Sequence, residues 1–218
     1  MLALYPSAEA AEKSILFAAL NRPDFTSDEL FDLHRRLRSV HDRPEARDKK
    51  FENRSRDPER KLRVGFVSSD FRTHVVSLNM LPLIGNYDRS RFDVILYAQE
   101  KSTDHLTKTF KDCTQGYRPI ERYKDHEVAK IIEEDEIDIL VILAGRFDEN
   151  RPLIVSHRAA PIQVSFHDCA TSGLEAMDYW LTDEILHPHD TPEKFTEQIR
   201  KDIEVWRKVV KQAAVKLD

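Results

Sequence analysis

Apolar positions along this chain follow two periods. From position 62 onward, short apolar runs near 62–68, 92–97, 117–120, 138–143, 162–166 and 178–182 predict strands. Between them, segments near 75–85, 103–112 and 124–134, and a shorter one near 150–158, predict helices. Strands joined through helices cannot pair as hairpins, so the pattern requires a parallel sheet with right-handed crossovers. The predicted class is α/β, a Rossmann-like domain over 62–190.

The flanks read differently. Residues 8–20 carry Ala11, Ile15, Leu16, Ala19 and Leu20 at helical spacing, and Asn21-Arg-Pro23 ends that segment. A second helix is expected to start at Thr26 or Ser27 as cap, with Asp28 and Glu29 in its first turn and Leu30, Phe31, Leu33, His34 and Leu37 on one side. Residues 1–41 are thus expected to form a helical arm. The aliphatic-poor, charged stretch 42–61 reads as a linker. At the other end, Thr191 as cap, Pro192, Glu193 and the stripe Phe195, Ile199, Ile203, Trp206, Val209, Val210, Ala213 predict a C-terminal helix over 191–218 that packs on the domain. No repeat of fixed period is visible.

Composition narrows the classes. Charged residues make up 33% of the chain, the formal net charge is -5, the isoelectric point is about 6.0 and the mean hydropathy is -0.56. That balance lacks the cationic face a phosphate backbone needs, so nucleic acid is not an expected partner. Two cysteines, Cys113 and Cys169, form no Cys-x-x-Cys pair, and Ile15–Leu20 is far shorter than the ~20 apolar residues that span a bilayer. A cytoplasmic protein with no membrane partner is expected. His167, Asp168, Cys169, His187, His189 and Asp190 are of metal-ligating type, but their spacing fits no standard zinc site and no metal is expected.

Candidate chemistry concentrates where strands end. Arg63-Val-Gly-Phe-Val-Ser-Ser-Asp-Phe71, followed by His74, is an apolar run that stops in small and polar groups, and the carboxyl ends of parallel strands are where α/β proteins hold ligands. His74 can exchange a proton or orient a phosphate; alternatively it caps the next helix. Asp70 either caps that helix or does chemistry. The loop 145–151 leaves another strand at the same rim, where Arg146 is suited to clamp a phosphate. Thr171 and Ser172 are ligand donors or the caps of a helix at Leu174. The three loops are expected to converge on one edge, to line the main cleft there, and to draw a phosphate with the help of helix starts and Arg146.

The same residues carry a resemblance. Lys61-Leu-Arg-Val-Gly-Phe-Val-Ser-Ser-Asp-Phe-Arg-Thr-His74 resembles the opening of the catalytic region of the protein O-GlcNAc transferase family. Further similar segments follow in the same order: Asp88-Arg-Ser-Arg-Phe-Asp-Val-Ile-Leu-Tyr97; Ile137-Asp-Ile-Leu-Val141 with Ala144-Gly145 and Asn150-Arg151; Ala160-Pro-Ile-Gln163; Thr171-Ser-Gly173; and Met177-Asp-Tyr179 with Thr182-Asp183. Upstream, Phe25 to Arg36 resembles the helical segment ahead of that region. The resemblance covers roughly residues 20–197.

It implies one Rossmann-like half of a GT-B glycosyltransferase and the transfer of a sugar from a nucleotide sugar, UDP-linked, to protein Ser or Thr hydroxyls. It implies inversion and no metal cofactor. His74 and Asp70 become the candidate catalytic residues; Ser68, Ser69, Gly145, Arg146, Asn150, Thr171, Ser172 and Gly173 become candidate substrate-binding residues. In the family the loop after the fourth strand reads like Ala-Gly-His-Thr, and Arg146 and Phe147 stand here instead. A Gly-Tyr-Pro-Gly segment is replaced by Asp168-Cys-Ala170 after His167. The nucleotide-binding second half is expected to come from another chain or a dimer partner, so the isolated chain is expected to be inactive. The alternative is a non-catalytic Rossmann-like binding or interaction module.

Overall fold

In the computed structural model, residues 8–182 apart from 53, 56, 58, 146 and 148 are described. Helix α1 (Ala8–Leu20), α2 (Ser27–Arg38) and the short α3 (Pro44–Arg47) precede the alternating part: β1 (Leu62–Ser68), α4 (Val75–Gly85), β2 (Phe92–Ala98), α5 (His105–Cys113), β3 (Gly116–Pro119), α6 (Asp125–Glu134), β4 (Ile139–Leu143), β5 (Ile162–Phe166) and β6 (Tyr179–Leu181). The predicted helix near 150–158 is a 3-10 helix, Pro152–His157, ended by Arg158 in the left-handed region at φ 50°. That conformation at Arg158 ends it, and Pro161 disfavours the α region for the residue before it. The segment 191–218, and with it the predicted C-terminal helix, lies outside the described residues.

All six strands are parallel in the order β3-β2-β1-β4-β5-β6. The alternation within each strand separates two cores. Phe66, Leu96, Val141 and Val164 point to the side of α4 and α5, with Met80, Ile84 and Phe110. Val67, Tyr97, Leu140 and Ile142 point to the side of α6 and the 3-10 helix, with Val128, Ile132, Ile154 and Val155. Helices on both faces explain why β4 is apolar at every position. The reversal of strand order falls between β1 and β4, and the crevice outside that point is where such sheets hold ligands.

The flanking segments are anchored at opposite edges. At the amino edge of the strands, the charged stretch expected as a linker is strapped to Asp138. Arg60 forks onto both carboxylate oxygens at 2.6 and 2.7 Å, Arg54 reaches one at 3.2 Å, and the Arg63 amide donates at 2.9 Å. Lys49 also pairs with Glu133 at 2.7 Å.

The arm sits at the carboxyl edge. Its second helix is capped by Thr26, one of the two expected caps, and Glu29 completes a full capping box. Buried Arg38 lies 2.9 Å from Glu12, whose other oxygen is 2.8 Å from His41, so α1 and α2 are joined by a buried ionic contact. Lys13 donates to the Asn150 carbonyl at 2.5 Å, and Phe17 meets Phe147 edge-on at 5.7 Å. Glycine at 173, with φ +72°, lets its loop touch α2; a Cβ there would lie 2.7 Å from the His34 carbonyl oxygen.

Candidate active site

β1 runs out of apolar residues at Ser68, and the next six residues turn back to start α4. Asp70 has a side chain with no exposure at the centre of this turn. It takes hydrogen bonds from the Ser69 hydroxyl at 3.0 Å and from Asn150 Nδ2 at 3.2 Å, while Ser68 Oγ is 3.5 Å away and accepts the Asp70 amide at 3.1 Å. Arg72 and His74 stand 3.8 and 3.7 Å from the carboxylate. The Asp70 carbonyl in turn accepts the hydroxyl of Ser77 on α4. Asp70 is therefore not a helix cap. It organises the turn from below.

Asn150, fully buried, joins this turn to the β4 loop. Its Oδ1 accepts the Ser69 amide at 2.7 Å; its Nδ2 reaches, besides Asp70, the carbonyls of Phe147 at 3.1 Å and Ala144 at 3.3 Å. One side chain thus closes the β1–β4 switch point. Asn150→Ala leaves a buried amide and two carbonyls without that partner. A loss of at least about 2 kcal/mol is expected, read as a lower urea midpoint with unchanged slope.

The cap of α4 is His74, whose Nδ1 accepts the Val76 amide at 3.3 Å. A ring nitrogen cannot accept that bond and donate toward Asp70 at once, and the 3.7 Å separation is too long for a hydrogen bond. The cap wins in the neutral ring, which then carries its proton on Nε2. With its side chain 26% exposed, His74 reaches the surface together with Arg72 and Thr73. The ring thus caps α4 and stands at the rim at once.

Asp104 is a residue that the candidate set missed. It caps α5 through the Leu106 and Thr107 amides and accepts the Thr73 amide at 2.6 Å, so it braces the residue before His74. Bonds from Thr73 hold its carboxyl well below the usual range. The Asp104-His-Leu-Thr107 box is legible in the sequence; its reach across to Thr73 is not.

The third loop is spent differently. Thr171 and Ser172 are buried, and their hydroxyls accept the Gly173 and Leu174 amides, both at 3.2 Å; a turn follows rather than a helix. Gly145 lies under Asp168, whose oxygen would be 2.8 Å from a Cβ. Gly145, Asp168, Ser172 and Arg38 surround a cavity of only about 10 Å³. The β1 and β4 loops therefore meet directly through Asn150, and the β5 loop is closed against the arm. Arg146 lies outside the described residues.

Among the described residues, the cavities found at these positions are small. Beside Ser68, Ser69, Arg72, Gln99 and Tyr117 there is only a shallow groove. A cavity of about 850 Å³ opens farther along the same edge between residues 40–45, the start of α6 and the 3-10 helix. The arm occupies the rim over β4 and β5. Among the described residues no group of three or more His, Cys, Asp or Glu is placed to hold a metal, and no helix is long and apolar enough to cross a membrane.

Comparison with known proteins agrees with this geometry. The model of glycosyl transferase family 41 matches residues 36–201. The probable UDP-N-acetylglucosamine–peptide N-acetylglucosaminyltransferase SPINDLY of Arabidopsis thaliana is 30% identical over 203 residues, 89% of this chain and 22% of that protein. The UDP-N-acetylglucosamine–peptide N-acetylglucosaminyltransferase of Caenorhabditis elegans is 34% identical over 142 residues, 64% of this chain and 12% of that one. Among solved structures, a mutant O-GlcNAc transferase of Thermobaculum terrenum superposes with a TM-score of 0.80 at 27% identity, over 91% of this chain and 38% of that one. The chain spans about a fifth or less of the length of these curated relatives.

Proposed function

The chain belongs to glycosyl transferase family 41, and from that premise we propose that it supplies one wall of a sugar-transfer site, with His74 as the group that meets the substrate. The observation that carries this reading is the buried Asp70–Asn150–Ser69 frame at the β1–β4 switch point, which holds His74 at the rim. The donor is a nucleotide sugar, UDP-linked, and the acceptor a protein Ser or Thr hydroxyl. With Nδ1 accepting the cap bond, the neutral ring carries its proton on Nε2, and in this reading it orients a substrate oxygen through that nitrogen. Asp70, being enclosed, is a positioning residue. Transfer requires a second wall, because a single open edge neither buries the donor nor excludes water.

A second reading, a non-catalytic module, is favoured by one observation. At the loop where the family carries His-Thr, this chain has Arg146 and Phe147, and the Phe147 ring packs on Phe17 of the arm. That position serves attachment of the arm.

The deciding experiment incubates the protein with radiolabelled UDP-N-acetylglucosamine and a Ser-containing peptide, alone and together with the separately produced second half of a relative. Label is expected in the peptide only in the combined sample. His74→Asn, which retains a capping side chain and removes the imidazole, is expected to lower transfer by about 100-fold or more. Label in neither sample supports the non-catalytic module; transfer unaffected by His74→Asn overturns the role of His74.

A further inference from the structure

The cleft of about 850 Å³ lies apart from the Asp70 frame and plays no part in the reading above. Its floor holds an unusual group: Ser156 is 2% exposed, and its hydroxyl has no hydrogen-bond partner among the described residues. A buried hydroxyl without a partner is costly unless a ligand or water completes it. Around it stand Lys124, His126 and His157, and the first turn of the ten-residue helix α6 opens into the same space. Amides of a first helical turn have no partners within the helix and carry a partial positive charge.

The carboxylates near the cleft are already engaged. Asp125 is paired with Arg151 at 2.5 Å, Glu127 accepts the Lys124 amide at 2.7 Å, Asp42 accepts the Glu175 amide at 3.4 Å, and Glu45 lies 3.9 Å from Arg43. Asp42 and Glu45 border the side of the 40–45 segment, so the cationic part of the cleft is the side formed by α6 and the 3-10 helix. The surroundings of His157 agree: burial first, then Arg43, His126 and Lys49, outweigh Asp125 and hold its pKa below the ordinary value.

We propose that this cleft binds a phosphate monoester of sugar-phosphate size, its phosphate seated at the first turn of α6 between Lys124, His126 and His157 with the Ser156 hydroxyl donating from beneath. A bare phosphate would fill little of the volume, whereas small-ligand sites commonly measure about 300–1,000 Å³. Lys124 contributes a point charge, and the two imidazoles add donors when protonated.

The test is a titration of the ¹⁵N-labelled 218-residue chain with glucose 6-phosphate, with inorganic phosphate and glucose as parallel arms. Saturable shifts are expected at amides 124–127 and 153–157, tighter for glucose 6-phosphate than for phosphate and absent for glucose. Lys124→Met and His157→Gln are each expected to weaken binding about tenfold, and Ser156→Ala severalfold, with the rest of the spectrum unchanged. No saturable shift at those amides, an equal response to glucose, shifts confined to 68–74, or indifference to all three variants overturns the proposal. These outcomes do not depend on whether the chain takes part in sugar transfer.

Discussion

Replacing Asp138 by Asn is expected to cost about 3 kcal/mol of folding stability. The carboxylate is nearly enclosed, at 9% exposure, and neutralises Arg60 and Arg54 while accepting the Arg63 amide at the start of β1. Removing one partner of a buried ionic cluster leaves the other charges uncompensated, at about 3–5 kcal/mol when burial is complete. Arg60 retains 27% exposure, which places the expected value at the lower end. Burial alone would raise the Asp138 pKa, but the bonds from Arg60 and the Arg63 amide outweigh it and hold it below the usual range. A carboxyl with a depressed folded-state pKa contributes stability above its unfolded value and loses it as pH falls through the folded one. The gap between wild type and Asp138→Asn should therefore be full at neutral pH and close as pH falls below about 4. Urea midpoints measured across that range check both parts, and a gap constant with pH contradicts the ionic account.

Gly173→Val is expected to have a comparable effect by another route. At φ +72° a β-branched residue is strained by about 1–3 kcal/mol, and its Cβ would lie 2.7 Å from a backbone oxygen that belongs to a helix. Overpacking of a closed site adds about 1–3 kcal/mol. The strain has one outlet, displacement of α2 from the β5 loop. Beyond a loss of stability, faster hydrogen exchange is expected in α1 and α2 than in the sheet. Equal acceleration throughout would mean that arm and sheet unfold as one unit.

These results separate what sequence carries from what packing decides. The six strands, α4, α5, α6 and the cap of α2 were legible because each rests on local periodicity or a local hydrogen-bond motif. Parallel pairing followed from helices lying between strands, and the meeting of the β1 and β4 loops followed from parallel pairing, since carboxyl ends of parallel strands share an edge. The role of each rim residue was not legible. Asp70 could read as cap or as chemistry because a carboxylate serves either; only the position of Asn150, eighty residues on, made it the centre of a buried frame. Thr171, Ser172 and Gly173 lie at the carboxyl end of their strand as expected, yet Gly173 packs on His34 and Arg38 of α2, because the arm, far away in the chain, occupies that part of the rim. The stretch 42–61 looks unstructured by composition, since charged residues bury nothing by themselves; Asp138 draws its arginines to the sheet. Local elements are written in short-range pattern, whereas a site forms from contacts between residues far apart in sequence, and which pairs meet is decided by the packing of the whole chain.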